Sequence, residues 1–235
     1  MDNIGSVSLT SYGGLLNEVH SDTLAIGRLV QERLAKVIEA IKKRDTRQAL
    51  QIARSDYKVN KAELAIDEQC VNVLALYNPK ARDLRLIVAL TKILVDMERM
   101  GDEVQRIAHN LTTMNFAQVP DKVFDEITRL GERVLIMLDE TLTAFKRLES
   151  QHHDVKKHDH KVDEEWNRAM VILKSSLSAS PDSVDSLLKV LWCARSLERM
   201  SDHLKNISEY TVFIEKGKDI RHSTSRASKA ATPVS

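Results

Sequence analysis

The sequence contains few residues that interrupt helices. Glycine occurs 7 times and proline 4 times in 235 residues, and aromatic residues make up only 4% of the chain. Leucine, alanine, glutamate, lysine and arginine, which lose little side-chain freedom in a helix, are common instead. Helix is therefore the natural state for most of the chain, and we predict an all-α fold.

Cysteine and long apolar runs are also scarce. The two cysteines, Cys70 and Cys193, lie inside helical patterns, so we expect buried packing residues and no disulfide framework, as in a reducing cytoplasm. No run approaches the roughly 18 uncharged apolar residues that a membrane-spanning helix needs. The first residues have neither the basic nor the apolar region of a signal peptide, and we expect a cytoplasmic protein.

Neither sign of charge dominates the sequence. The formal net charge is +1 at pH 7, which creates no overall field to attract nucleic acid or an anionic membrane. A partner must therefore be recognised by a local surface, and we predict no nucleic-acid partner.

Six long helical patterns are separated by a few polar breaks. Asp45 has the position of an N-cap, with Gln48 three residues later at capping-box spacing, and Pro79 stops the second pattern. From Ser223 onward the sequence is small, polar and basic, which predicts a disordered tail. The predicted helices cover about residues 9–43, 46–76, 81–115, 122–148, 151–178 and 182–216.

The six helices form two copies of one three-helix unit. Three blocks of sequence recur in the same order, one in each helix of the unit, at offsets of 104, 103 and 100 positions. Duplication explains this register better than chance does. We therefore predict tandem three-helix bundles at residues 1–117 and 118–222, followed by the tail at 223–235. The blocks are Gly27–Ile41 with Gly131–Phe145, Asp56–Asn60 with Asp159–Asp163, and Glu98–Asp102 with Glu198–Asp202.

Each unit carries acidic residues, joined in the first unit by an asparagine, that the helical period turns toward an apolar face. With about 100° between successive residues, these side chains fall in the middle of the aliphatic side of their helices. Carboxylates in such a position are costly unless they are paired or bind a metal. The residues concerned are Glu98, Asp102, Asp56 and Asn60 in the first unit and Glu198, Asp202, Asp159 and Asp163 in the second.

Two explanations remain open for these residues. One is salt bridges, because several basic residues lie close by in the sequence. The other is a metal site, in which carboxylates from facing helices surround a cation and each Glu-x-x-x-Asp supplies two oxygens from one face. Without regularly spaced histidine or nearby cysteine, the oxygen-rich set favours Mg²⁺, Mn²⁺, Ca²⁺ or iron over zinc. The basic residues are Arg99, Arg106, Arg195, Arg199 and Lys205.

The sequence carries no familiar catalytic motif. It has no glycine-rich phosphate loop, no nucleophile elbow, and no cysteine or serine with a suitably ordered base, so we predict no catalytic residues and no enzyme. The alternatives are a metal-dependent phosphohydrolase and a metal-buffering helical protein. The two tryptophans, Trp166 and Trp192, are predicted to fill the second core.

These residues and motifs closely resemble the PhoU family. The Glu-Arg-x-x-Asp motif that begins at Glu98 and again at Glu198 is specific, and the resemblance covers about residues 9–222. It implies two three-helix bundles related by pseudo-twofold symmetry, each with a multinuclear site for iron or another cation. The matching stretches include Gly27–Gln31, Lys58–Asn60, Ala65–Cys70, Arg82–Ile87, Lys161–Asp163, Ala194–Asp202 and Lys216–His222.

The resemblance also implies a role, partners and ligands. A PhoU-like protein would be a cytoplasmic negative regulator of the phosphate-starvation response, linking PstB, the ATPase of the phosphate ABC transporter, to the sensor histidine kinase PhoR. It would reach the membrane only through these partners, and we expect a homodimer. Position 201 is serine, where the family usually has glycine as at Gly101. The implied metal ligands are Glu98, Asp102, Glu198 and Asp202, supported by Asp56, Asn60, Asp159 and Asp163.

Overall fold

The computed structural model describes residues 12–54, 57–149, 151–179 and 181–220, and in them the chain forms seven α-helices and no strand. The all-α prediction is confirmed, while the predicted tail at 223–235 lies outside the described residues. None of the helices in these ranges is both long and apolar enough to cross a membrane. The helices are α1 (Tyr12–Lys43), α2 (Thr46–Ala53), α3 (Tyr57–Tyr77), α4 (Ala81–Thr113), α5 (Asp121–Arg147), α6 (His152–Ala179) and α7 (Val184–Lys216).

The helices form two bundles that follow the duplicated sequence. The first bundle contains α1, α3 and α4 with the short α2, and the second contains α5, α6 and α7. Between the bundles, α1 packs against α5 and α4 packs against α7, so that both bundles share one continuous core. α5 is the counterpart of α1 in the second unit, and α7 is the counterpart of α4. Contacts between counterparts are expected when two units are related by a pseudo-twofold axis.

Matching glycines bring α1 and α5 close together. A Cβ atom on Gly131 would lie 2.9 Å from Cγ1 of Ile38, and a Cβ atom on Gly27 would collide with Cδ2 of Leu142. Ile38 and Leu142 occupy matching positions in the duplicated sequence, so the two contacts are reciprocal. Glycine allows this approach because it has no side chain that the opposing aliphatic group would have to avoid.

The first helix of each unit ends in the same turn. Arg44 and Leu148, which also match in the repeat, have positive φ angles of 55° and 52°. The N–H of the following residue donates to the carbonyl oxygen of Ala40 at 3.0 Å and of Ala144 at 3.1 Å. These are Schellman turns, built here on residues other than glycine.

The predicted second helix is two helices in the structure. The N–H of Arg54 closes the last turn of α2 on the carbonyl oxygen of Leu50 at 3.2 Å, and α3 begins at Tyr57. The prediction of one helix over 46–76 is therefore wrong. Ser55 and Asp56 stand between the two helices in the sequence, and side chains of these types compete with helical backbone hydrogen bonds.

The N-cap predicted at the start of α2 is confirmed, but the full capping box is not. Oδ1 of Asp45 accepts hydrogen bonds from the backbone N–H groups of Arg47 at 2.9 Å and Gln48 at 3.0 Å. The N–H of Asp45 belongs to the Schellman turn, and the side-chain amide of Gln48 donates to Glu39 at 3.5 Å. The reciprocal bond of a capping box is therefore replaced by these two contacts.

The predictions for cysteine and tryptophan have different outcomes. Cys70 and Cys193 are buried and free of disulfide bonds, as predicted, and burial raises the pKa of both thiols to about 12. Trp166 is partly buried and packs against the core. Trp192 is 58% exposed, so the prediction that it fills the second core is wrong. Its neighbour Cys193, about 100° further around α7, takes the core-facing position.

Polar residues are buried where α4 meets α7. Asp96 and His203 are 4% and 8% exposed, and Oδ1 of Asp96 lies 2.8 Å from Nδ1 of His203. Asn206 also donates to this oxygen at 3.3 Å. Glu103 of α4 is 2% exposed and lies 3.0 Å from the guanidinium of Arg199 on α7. The two bundles are therefore joined by specific polar contacts as well as by apolar packing.

Candidate metal centre

The acidic residues of α4 and α7 lie at the edge of the buried face. The two helices have the same burial class at each of ten matching positions, residues 91–100 and 191–200. Glu98, Glu198 and Asp102 are half-buried, and Asp202 is exposed. The prediction that these carboxylates occupy the middle of the apolar face is therefore wrong. Met97, about 100° around the helix from Glu98, faces the core instead.

The candidate site of the first unit is described in part. Asp56 and the side chain of Asn60 lie outside the described residues. On α3, burial raises the pKa of the Glu63 carboxyl, and the negative charge of Asp67 raises it further. Carboxylates therefore stand close enough on this helix to oppose one another's ionisation.

The second unit brings all four of its predicted ligands into one electrostatic group on α6 and α7. Burial raises the pKa of Asp163, with further contributions from Asp159 and Asp202. Burial also raises the pKa of Glu198, where Asp202 and Asp163 add to the effect and Arg195 opposes it. Each ionised carboxylate thus disfavours the ionisation of its neighbours, and a cation bound among them would relieve this repulsion.

A lysine ammonium bridges this group in the structure. Nζ of Lys205 lies 2.8 Å from Oδ2 of Asp159 on α6 and 3.6 Å from Oδ1 of Asp202 on α7. Burial lowers the pKa of Lys205, but its hydrogen bond to Asp159 and the charges of both carboxylates outweigh burial, so that the pKa is raised. The ammonium therefore supplies the positive charge that the carboxylates need.

Ser201 orients the carboxylate that meets this lysine. Its hydroxyl is buried, donates to Oδ1 of Asp159 at 2.8 Å, and lies 3.4 Å from the sulfur of Met137. The sequence alone shows the serine but not this role. The signal for it is the position of Ser201 beside Asp202, where the first unit has Gly101 and so has no hydroxyl.

Salt bridges describe the present arrangement better than metal coordination does. Glu198 lies 2.6 Å from Arg195, and Asp102 lies 3.9 Å from Arg106. In the part of the chain that is described, no three acidic, histidine or cysteine side chains stand close enough together to hold a metal ion. The carboxylates are ligands of the right type for a hard cation, but within the described residues their spacing does not form a metal site.

The sequence model of the PhoU domain matches this chain twice. The matches cover residues 23–111 and 127–211, one in each three-helix unit. The chain belongs to the PhoU family. Each match contains one Glu-Arg-x-x-Asp motif, so family membership rests on both units and confirms the resemblance found in the sequence.

Curated PhoU relatives are similar over most of their length. A phosphate-specific transport system accessory protein PhoU homolog of Pseudomonas putida is 35% identical over 208 residues, which are 88% of this chain and 81% of the relative. The phosphate-specific transport system accessory protein PhoU of Escherichia coli K12 is 31% identical over 88% of this chain and 86% of its own length. These relatives are named as accessory proteins rather than as enzymes.

Solved PhoU structures have the same fold. The crystal structure of PhoU from Pseudomonas aeruginosa aligns with a TM-score of 0.83 at 32% identity, covering 88% of this chain and 100% of that one. The phosphate transport system regulatory protein PhoU from Streptococcus pneumoniae aligns with a TM-score of 0.80 at 26% identity, covering 89% and 99%. The PhoU-like helical fold predicted from the sequence is thereby confirmed.

Proposed function

We propose that this protein is a negative regulator of the phosphate-starvation response and of phosphate uptake, and acts as an adaptor. Its partners would be the phosphate transporter ATPase PstB and the sensor histidine kinase PhoR. The observation that carries the proposal is membership of the PhoU family in both units, together with relatives that belong to phosphate-specific transport systems.

Exposed apolar side chains support an adaptor role. On α3, Leu64 is 68% exposed and Val71 is 55% exposed. Seven residues apart, they lie on one face of the helix. Large aliphatic groups on such a face are typical of surfaces that meet another protein.

The proposal is tested by deleting the gene and measuring alkaline phosphatase at high phosphate. We expect the deletion to relieve repression and a plasmid-borne copy of the wild-type gene to restore it. In a strain that also lacks the kinase, the same deletion should leave alkaline phosphatase unchanged. This control establishes that the effect of the deletion requires the kinase. Normal repression in the single deletion strain would contradict the proposal. Co-purification of the ATPase and the kinase with the tagged protein tests the two contacts directly.

The predicted homodimer needs a separate measurement. Light scattering of the purified chain gives its mass in solution, and we expect about twice the mass of one chain, which is 26.6 kDa. A mass equal to that of one chain at every concentration would contradict the homodimer and leave the adaptor role intact.

We further propose that the acidic residues of each unit bind iron, Mn²⁺ or Mg²⁺. In the second unit the ligands would be Asp159, Asp163, Glu198 and Asp202, and the cation would replace the ammonium of Lys205. Mutual repulsion among these carboxylates supports the proposal. A bound cation would neutralise them and tie α6 to α7.

The position equivalent to Lys205 provides a matched test, because the first unit has Gln105 there. Lys205→Gln removes the competing positive charge, and we expect Mn²⁺ to bind roughly tenfold more tightly to this variant.

Two further variants test the ligands themselves. Glu198→Gln with Asp202→Asn should abolish Mn²⁺ binding, whereas Asp185→Asn, which changes an exposed carboxylate on the same helix, should leave it unchanged. Calorimetry and elemental analysis of protein purified without chelator give the measurements. Absence of metal from both wild type and Lys205→Gln would contradict the proposal for the second unit.

A further inference from the structure

A cleft lies between α4 and α7, and its lining contains none of the proposed metal ligands. Its volume is about 800 Å³, which falls within the range of roughly 300–1,000 Å³ that small-molecule sites occupy. The C-terminal residue of α2, Ala53, closes one side. The side chains that carry the chemistry are Glu103, Arg106, His109, Trp192, Arg195 and Arg199.

A buried carboxylate organises the arginines of this cleft. Oε1 of Glu103 accepts from Arg106 at 2.6 Å and lies 3.0 Å from Arg199 of the facing helix. Arg195 is held by Glu198, outside the cleft, at 2.6 Å. Each guanidinium carries five N–H donors, more than one carboxylate can accept. The three arginines therefore hold fixed positions and keep donors for a further anion.

An exposed aromatic surface stands beside these arginines. Trp192 lines the cleft and is 58% exposed. An exposed indole ring offers a flat apolar surface on which an aromatic group of a ligand can stack. A flat ring next to fixed guanidinium groups suits a ligand that combines a planar aromatic group with negative charge.

The pocket at the counterpart of the cleft across the pseudo-twofold axis is much smaller. Lys92 occupies the position that matches Trp192, and Tyr210 the position that matches Asn110 of the cleft wall. Nζ of Lys92 lies 5.6 Å from the centroid of the Tyr210 ring, and the remaining cavity is about 30 Å³. The duplicated fold does not by itself create the cleft, which depends on the side chains of one side alone.

We propose that the cleft between α4 and α7 binds a nucleotide, with its phosphates on Arg106, Arg195 and Arg199 and its base stacked on Trp192. Inorganic phosphate would satisfy the arginines but would leave the indole and most of the volume without contact. A nucleotide uses the charged part, the aromatic part and the size of the cleft together.

The test uses the full chain, ATP as the probe, and EDTA to remove metal–nucleotide complexes. We expect calorimetry to detect ATP binding, and ATP to quench the fluorescence of Trp192 in a Trp166→Phe background. Arg199→Gln should weaken ATP binding about 10- to 100-fold, because a charge-assisted hydrogen bond to phosphate is lost. Glu103 keeps Arg106 as a partner in this variant, and circular dichroism verifies that the variant folds.

Two comparisons make the result decisive. Arg99→Gln changes the counterpart of Arg199 outside the cleft and should leave ATP affinity unchanged. Trp192→Leu should weaken ATP binding without changing the affinity for pyrophosphate, which has no base. No binding of ATP, or equal affinity in wild type and Arg199→Gln, would overturn the proposal. Equal affinity for ATP and inorganic phosphate, unaffected by Trp192→Leu, would overturn the assignment to a nucleotide.

Discussion

The two units share a backbone but differ in the polar side chains that they place on it. Their first helices end in the same turn, and their third helices bury the same positions over ten residues. Matching positions nevertheless carry different polar side chains. The first unit has Asp96 where the second has Ser196, and it has Lys92 where the second has Trp192, which lines the open cleft. Apolar periodicity therefore maintains the common architecture, while substitutions at polar positions give each unit its own contacts and cavities.

The largest effect is expected at the buried polar pair between α4 and α7. Asp96→Ala removes the oxygen that His203 and Asn206 both contact, and a buried polar group left without its hydrogen-bond partner costs about 1–3 kcal/mol for each of the two side chains. Ser196→Ala is the matched control at the equivalent position and should lower the free energy of unfolding by less than about 1 kcal/mol. Urea denaturation measures both. Equal losses would mean that the pair adds nothing specific to the junction.

The reciprocal glycine contacts come next. Gly27→Val and Gly131→Val should each destabilise the protein by about 1–3 kcal/mol, because the new side chain overlaps Leu142 or Ile38. Gly13 lies on the same helix as Gly27 with nothing within 4 Å of an added Cβ, and Gly13→Val should not destabilise the protein. Thermal unfolding makes the comparison. If only one of the two substitutions lowered the stability, the two contacts would be symmetric in geometry but would not contribute equally to the free energy of unfolding.

The serine of the second unit should have a smaller effect. Ser201→Gly reproduces the residue of the first unit and should cost about 1–2 kcal/mol, the sum of a lost hydrogen bond to Asp159 and the lower helix propensity of glycine. Ser201→Ala separates the two terms, since it removes only the hydrogen bond. If Ser201→Ala is as stable as wild type in urea, the bond to Asp159 does not stabilise the second unit.

The smallest effect concerns His20, whose counterpart in the second unit is Phe124. Burial lowers the pKa of His20 below its ordinary value, although its ring nitrogen lies 3.0 Å from the carbonyl oxygen of Phe145. As the pH falls, His20 therefore takes up a proton in the unfolded chain before it does so in the folded protein. The neutral, buried His20 contributes stability above the unfolded pKa of about 6.5, and this contribution is lost as the pH falls below that value.

His20→Phe should flatten this part of the stability profile. Urea denaturation of wild type and variant between pH 5 and 8 measures the difference. A wild-type profile with the same slope as that of the variant would mean that protonation of His20 does not distinguish the two states.

The sequence predicts the architecture well, because the helical period of its apolar residues indicates the helices and the duplicated blocks indicate the two three-helix units. The break between α2 and α3 escapes prediction, since the apolar period continues across Ser55 and Asp56. The sequence also predicts more burial for the acidic residues of α4 and α7 than the structure shows, for a related reason. Period gives the angle of a side chain around its own helix but not how far a neighbouring helix covers that angle. Leu64 and Val71 flank the acidic residues in the sequence pattern and are exposed in the structure.

The candidate sites depend on contacts between distant parts of the chain. Lys205 is identified from the sequence as a salt-bridge donor, but its partner Asp159 lies 46 positions away. The cleft escapes prediction for the same reason, because Glu103 and Arg199 come from different units. Trp192 is assigned to the core on composition, since a tryptophan inside an apolar helix is usually buried.

The reciprocal contacts of Gly27 with Leu142 and Gly131 with Ile38 have the form of an isologous interface. One unit, translated as a separate polypeptide, carries both surfaces of that interface, and two copies of it would close into a dimer rather than extend into a filament. Joining the units in one chain replaces that association with an intramolecular one. Assembly then depends on the effective concentration set by the residues between α4 and α5, and dilution of the protein no longer separates the two units.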